Sequence, residues 1–121
     1  MFILTVEGHF SAAHQVKGYS GDCAGLHGHT YRVQVNVAVT KLDEIGMAID
    51  FRSIKTTLDN ILTMLDHTNL NDLSYFKERN ATTEHVAMFI YQEMKSRISG
   101  TRSVTVWEGH GNSVTYQENT Q

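Results

Sequence analysis

Apolar and polar side chains alternate most cleanly over residues 30–40, where Tyr31, Val33, Val35, Val37 and Val39 interleave with Arg32, Gln34, Asn36, Ala38 and Thr40. A period of two puts one set on each face of an extended chain. The stretch is therefore predicted to be a strand with one buried and one polar face, as in an antiparallel sheet covered on one side. Residues 2–7 are β-prone and the pattern continues toward His14. From Phe51 the period lengthens: Phe51, Ile54, Leu58, Ile61, Leu62 and Leu65 recur at helical spacing behind Asp50, a good N-cap residue. A second helix is predicted from about Thr83 to Ile98, with Val86, Phe89, Ile90, Met94 and Ile98 on one face and Gly100 as its stop. Val104 and Val106 then alternate with Thr105 and Trp107, and after a turn over 109–112 come Val114 and Tyr116. The order ββααββ implies an α+β fold in which antiparallel strands carry two helices on one face.

No repeat, low-complexity tract or linker interrupts this order, so residues 1–121 read as one domain. A chain of this size buries roughly two-thirds of its unfolded surface, enough for a single core. With 40% hydrophobic and 19% charged residues, a long disordered chain is excluded. A net charge of −3 argues against nonspecific nucleic-acid binding, which draws on a basic excess. No apolar run approaches the roughly 20 residues that span a bilayer, and the opening Met1–Glu7 lacks the basic lead and the apolar length of a secretory signal. A single cysteine, Cys23, rules out an intrachain disulfide and suits an intracellular, cytoplasmic protein. The one compositional oddity is seven histidines.

Two of these, His27 and His29, flank Gly28 immediately before the alternating strand. Residues i and i+2 of extended chain project to the same face, so both imidazoles can reach one ion, with Gly28 adding no side chain between them and permitting close approach or unusual dihedrals. His14, near the end of the first strand, is the third candidate if that strand pairs with the second. Three neutral imidazoles suit Zn2+ and leave a fourth position open, the pattern of a catalytic site. Cys23 as a fourth ligand would close it and give the opposite conclusion. His9 is equally near on spacing, but alternation puts it on the face away from His14. An H-x-H pair is also common by chance in so histidine-rich a chain, and two surface histidines are the plain alternative.

Cys23 lies in a glycine-rich stretch, four residues before His27. Most lone cysteines are inert and buried, whereas one beside a dication is shifted toward thiolate and can act as a base. Asp66-His67 follows the first helix; it is either a carboxylate–imidazole proton relay or a polar helix end with histidine near the C-terminal dipole. Glu108 falls on the same face as Val104 and Val106. An apolar-face carboxylate needs a partner, and a ligand with two parallel N–H donors would satisfy both oxygens; otherwise the strand ends before it and the group is solvated.

These residues together resemble the 6-pyruvoyl-tetrahydropterin synthase and 6-carboxytetrahydropterin synthase family, nearly end to end. The resemblance rests on Phe10-Ser-Ala-Ala-His14, Cys23-Ala-Gly-Leu-His27-Gly-His29, Gly46-Met-Ala-Ile-Asp50-Phe51, Leu65-Asp66-His67, Asn80-Ala-Thr-Thr-Glu84 and Val106-Trp-Glu108. The C-x-x-x-H-G-H spacing is its most specific part and is similar to the bacterial carboxy branch. The resemblance implies a T-fold subunit, a four-stranded antiparallel sheet with two helices on one side, assembled as trimers stacked into hexamers with active sites between subunits. It implies 7,8-dihydroneopterin triphosphate as substrate and 6-carboxy-5,6,7,8-tetrahydropterin, acetaldehyde and triphosphate as products, an early step toward queuosine. His14, His27 and His29 would hold zinc as a Lewis acid on the substrate side chain, Cys23 would be the thiolate base, and Asp66 and His67 the relay, supplied by a neighbouring subunit. Glu108 would grip the pterin's N3–H and 2-amino donors. Glu108→Ala is accordingly expected to weaken pterin binding far more than zinc binding. Thr82 and Thr83 match positions at the pterin edge and equally stand where a helix cap belongs. The chain departs from the family at Ala81, where proline is usual and where its absence removes a rigid link from the turn. It departs again at Ala24-Gly25, which lacks a basic residue and leaves Lys17 and Arg32 as candidate triphosphate contacts, and at Gly109-His110-Gly111-Asn112, in place of a threonine–proline turn. These departures keep open a family member that has changed substrate while retaining zinc and pterin chemistry; the further alternatives are a pyruvoyl-forming synthase and a noncatalytic pterin- or zinc-binding member.

Overall fold

The computed structural model describes residues 1–18 and 25–119. The first alternating segment forms β1 (Phe2–His14), which runs antiparallel to β2 (His27–Val39) in unbroken register from Phe2 opposite Val39 to His14 opposite His27. β2 starts three residues earlier than its alternation suggests, so His27 and His29 lie within the strand. Helix α1 spans Phe51–Thr63; the Asp50 side chain accepts from Arg52 N–H at 2.8 Å, the expected cap. After it, β3 (Thr68–Asn69) lies parallel to β1 at Ala12 and Ala13, and two 3-10 turns lead to α2 (Thr83–Arg97). Strands β4 (Thr101–Glu108) and β5 (Ser113–Gln117) complete the sheet, in the order β3-β1-β2-β4-β5. The sheet thus has five strands rather than four. The extra one is only two residues long and carries no periodicity from which it could be read.

Both helices cover the face that carries Val6, Phe10, Tyr31, Val33, Val35, Val104 and Val106, all buried. Against them α1 sets Ile54, Leu58, Ile61 and Leu62, and α2 sets Val86, Ile90 and Met94. Truncating a fully buried leucine such as Leu58 in a core of this kind costs about 2–5 kcal/mol. Phe51, placed by spacing on the apolar face of α1, is instead 59% exposed. As the first helical residue it lies at the rim, where the helix has not yet come down onto the sheet. Gly100 does not stop α2 by a left-handed conformation, since the helix already ends at Ile98. Its small size is needed for another reason: a Cβ there would sit 2.5 Å from the Ala38 carbonyl oxygen, where the α2–β4 link crosses β2. No helix among the described residues is long and apolar enough to cross a membrane.

Candidate metal centre

Antiparallel pairing puts His14 directly opposite His27, and Ala12 opposite His29. All lie on the helix-covered face, in line with Phe10 and Tyr31. The third side of the site comes from β4, whose last residue, Glu108, pairs with Tyr31. Three strands that the alternation pattern treats separately thereby converge, and one ligand atom from each of His14, His27, His29 and Glu108 lies within 4.8 Å of the others. His9 pairs with Arg32 on the opposite face, as alternation predicts.

The two Nδ1 atoms are committed. That of His14 lies 2.6 Å from the Ala81 carbonyl and that of His27 lies 2.7 Å from the Gly25 carbonyl. A carbonyl only accepts, so each Nδ1 carries the proton and each Nε2 offers a lone pair. Those two Nε2 atoms are 3.1 Å apart. Two acceptors at that distance need something positive between them. The Nε2 of His29 is buried without a hydrogen-bond partner, although Glu108 Oε1 is 2.8 Å away, off the line of an N–H bond. Burial holds the His29 pKa below its ordinary value against the attraction of Glu108, with smaller downward pushes from His14 and His27. The neutral imidazole that a metal requires is therefore the favoured form. Carbonyl-oriented rings and an orphaned buried nitrogen are what a borderline cation such as zinc would satisfy, so the residues present fit one.

Glu108 is held from behind: the hydroxyl of buried Thr83 donates to its Oε2. Thr82 caps α2, accepting from His85 N–H at 3.2 Å. Of the two threonines singled out in the sequence, one is thus a cap and the other braces the carboxylate. The Ala81 turn is held without proline. The Asn80 side chain accepts from Lys17 N–H and donates to Lys17 carbonyl oxygen, at 3.0 and 2.9 Å, and the Asn80 carbonyl accepts from His85 Nδ1 at 2.7 Å. The Ala81 carbonyl is a part of the site that sequence reasoning did not assign to it, whereas Thr83, which the resemblance put at the pterin edge or in a helix cap, meets the Glu108 carboxylate. Gly28 is required neither by positive φ nor by close approach, since a Cβ there would meet nothing nearer than the Ala12 carbonyl oxygen at 3.8 Å.

Asp66 and His67 are not part of this cluster. They stand beside β1 at Ser11: Asp66 Oδ1 accepts from Ser11 N–H at 2.9 Å, and His67 N–H donates to the Ser11 carbonyl at 2.6 Å. The Ser11 bond, then His67, holds the Asp66 carboxyl below the usual carboxylate range. His67 Nδ1 is 3.0 Å from Asp66 Oδ2, and its ring is 84% exposed. It borders a hollow with Ser11, Ala13, Gly28 and Thr30, which alternate away from the histidine cluster, and with Ala12 and His29, which share its face. His67 alone among described non-glycine residues has positive φ, 57°. Arg32 lies over the Trp107 ring at 4.0 Å, likewise on the outer face. Cys23 lies outside the described residues.

A strand-borne cluster of three histidines and one carboxylate that could hold a metal ion lies under the two-helix layer of an α+β fold, and comparison with known proteins narrows the class. The profile of the 6-pyruvoyl tetrahydropterin synthase family matches residues 3–119, and the chain belongs to that family. It is 37% identical to a 6-carboxy-5,6,7,8-tetrahydropterin synthase of Synechocystis over 114 residues, 89% of this chain and 87% of that one. It is 34% identical to a dihydroneopterin monophosphate aldolase of Pyrococcus furiosus over 106 residues, 84% of each chain. The structure of Caenorhabditis elegans 6-pyruvoyl tetrahydropterin synthase superposes with a TM-score of 0.85 at 31% identity, covering 98% of both chains. The fold is the T-fold of these neighbours, with β3 as a short addition.

Proposed function

We propose that the protein is a zinc-dependent carbon–carbon lyase, a 6-carboxy-5,6,7,8-tetrahydropterin synthase. It would convert 7,8-dihydroneopterin triphosphate and one water to 6-carboxytetrahydropterin, acetaldehyde and triphosphate, in the cytoplasm and on the route to queuosine. The observation that carries this reading is the convergence of His14, His27 and His29 Nε2 atoms in a chain 37% identical to a protein of that name. When bound, zinc supplies Lewis-acid stabilisation for negative charge developing on the substrate side chain.

The chain's own groups do the rest. The Ala81 and Gly25 carbonyls hold His14 and His27 in the ligating tautomer. Glu108, braced by Thr83, accepts from the N3–H and 2-amino group of the pterin ring, two parallel donors matched to a carboxylate. Thr82 borders the same edge. Cys23 removes a side-chain proton as thiolate. Asp66 orients His67, which hands the proton on. Because Asp66 and His67 sit at the outer edge of β1, away from the cluster of their own chain, this reading takes them from a neighbouring subunit. The single T-fold domain would assemble as a dimer of trimers. Exposed Met1, Phe2, Ile3 and Phe51 give such a neighbour apolar surface to cover.

Incubating the pure protein with dihydroneopterin triphosphate and identifying products by mass spectrometry tests the proposal. Acetaldehyde and triphosphate are expected in equal amounts. Loss of triphosphate with the carbon skeleton intact would replace this reading with a pyruvoyl-forming synthase, which the C. elegans likeness supports. Cys23→Ala is expected to keep zinc and fold while losing turnover.

A further inference from the structure

A second cavity lies at the opposite end of the sheet from the histidine cluster. Tyr31, which pairs with Glu108, and Val37, which pairs with Thr101, are six residues apart on β2, so about 20 Å of strand separates the two places. The cavity, about 320 Å3 in volume, lies between the last turns of α2, the start of β4 and the end of β5, and its walls include Tyr91, Lys95, Gly100, Arg102 and Glu118. Two backbone features shape it. Gly100 lets the α2–β4 link close onto β2, where Ala38 N–H donates to the Gly100 carbonyl at 2.8 Å. One residue later the β2–β4 ladder slips: Asn36 pairs with Ser103 and Val37 with Thr101, which leaves Arg102 as the extra residue of a bulge. A bulge re-aims a side chain out of the alternation that a regular strand imposes. Here it sets a guanidinium on the cavity wall.

The charges on that wall are unbalanced. Half-buried Lys95 donates to the Ser99 carbonyl at 2.6 Å and the Thr101 carbonyl at 3.4 Å, and an ammonium has a third N–H beyond these. Arg102 Nη1 meets Met1 Sδ at 3.1 Å, and a thioether is a weak acceptor. Among the described residues Arg52, Lys55 and Arg97 have carboxylate partners, whereas Lys95 and Arg102 have none. The one carboxylate in the wall, Glu118, accepts from the buried Tyr91 hydroxyl instead. Two cations with unused donors on one concave surface favour an anion. We propose that this cavity binds a small metabolite by an oxyanion group, phosphate or carboxylate, held by Arg102 through two parallel N–H bonds and by Lys95 as a point charge. Its volume stands at the low end of ligand pockets, about 300–1,000 Å3, and limits the ligand to the oxyanion and a short carbon chain. Glu118 opposes binding by its like charge, and Tyr91 holds it against α2. The site shares no residue with the histidine cluster.

Equilibrium dialysis of the full chain against radiolabelled inorganic phosphate, and separately against radiolabelled succinate, tests the proposal. Saturable binding of at least one probe is expected, and the tighter of the two identifies the oxyanion. Arg102→Ala is expected to weaken binding about tenfold, as the loss of a charge-assisted contact does. Arg102 is exposed, so this variant leaves the core as it is. Lys95→Met should weaken binding as well; if circular dichroism shows that losing its two carbonyl bonds unfolds the chain, Arg102→Ala decides alone. Glu118→Gln is expected to change affinity in the opposite sense, tightening it severalfold. His29→Ala, altered in the histidine cluster and far from the cavity, should bind the probe as wild type does. Absence of saturable binding for both probes, or wild-type affinity in Arg102→Ala, would overturn the proposal. Loss of binding in folded His29→Ala would overturn it too, by placing the anion at the histidine cluster.

Discussion

Two histidine-bearing regions of this chain are built in opposite ways. His14, His27 and His29 stand on paired strands, where ladder hydrogen bonds fix every Cα and two peptide carbonyls fix the rings. His67 stands on a turn at φ 57°, its backbone N–H bonded to the Ser11 carbonyl and its exposed ring beside Asp66. The first arrangement suits a group that must not move, because a ligand a fraction of an ångström out of place loses the metal. The second suits a group that completes its surroundings only when something else arrives. A left-handed conformation costs a non-glycine residue about 1–2 kcal/mol, and histidine is among the residues that adopt it more often than most.

That contrast can be broken most sharply at the strands. His29→Ala is expected to lower zinc affinity by more than about a hundredfold, exceeding the loss from any group outside the ligand set. Chelator competition reads the change, and an unaffected affinity would remove His29 from the site. His67→Ala should leave zinc affinity untouched and cut turnover by about 10²–10⁴, the range of a lost general acid or base. His67→Gly separates strain from chemistry, since it should lose the same turnover yet unfold about 1 kcal/mol later in a urea titration. Equal stability of the Gly and Ala variants would mean that the turn stores no strain.

A smaller effect is expected at Asp66. Its carboxyl is held below the usual range, so its contribution is complete above the unfolded value of about 3.9 and is lost as pH falls through the lower folded value. Amide exchange at Ser11, whose N–H meets Asp66 Oδ1, should therefore quicken in acid relative to neighbouring strand amides, and Asp66→Asn should abolish that difference. The smallest change is Tyr31→Phe. The Tyr31 hydroxyl is buried without a partner, and burial, helped by Glu108, pushes its pKa far up. Removing an unsatisfied hydroxyl should leave stability unchanged or raise it by up to about 1 kcal/mol, measured by thermal unfolding.

Period-two alternation is local, so β2 and the shared face of His27 and His29 could be read directly from the chain. Helical spacing and the Asp50 cap did the same for α1. Register is not local. Nothing in the sequence of β1 alone says that His14 falls opposite His27, nor that the end of β4 brings Glu108 to the same point. The family motifs supplied those residues together without saying how they meet. Thr83 was named through the family motif, but not its bond to Glu108, because its hydroxyl turns toward another strand only once α2 is docked. The left-handed His67 and the two-residue β3 escaped because single turns and dipeptides have no period at all.

One consequence follows from the choice of peptide oxygens, at Gly25 and Ala81, to orient two of the three rings. An orienting side chain can be deleted by a single codon change; a main-chain oxygen cannot. Position 81 is free to drift between proline, alanine and other small residues without disturbing the proton inventory of His14, provided the loop keeps its path. Mutational robustness at the centre of the molecule is thus delegated to the part of the polymer that inheritance cannot edit.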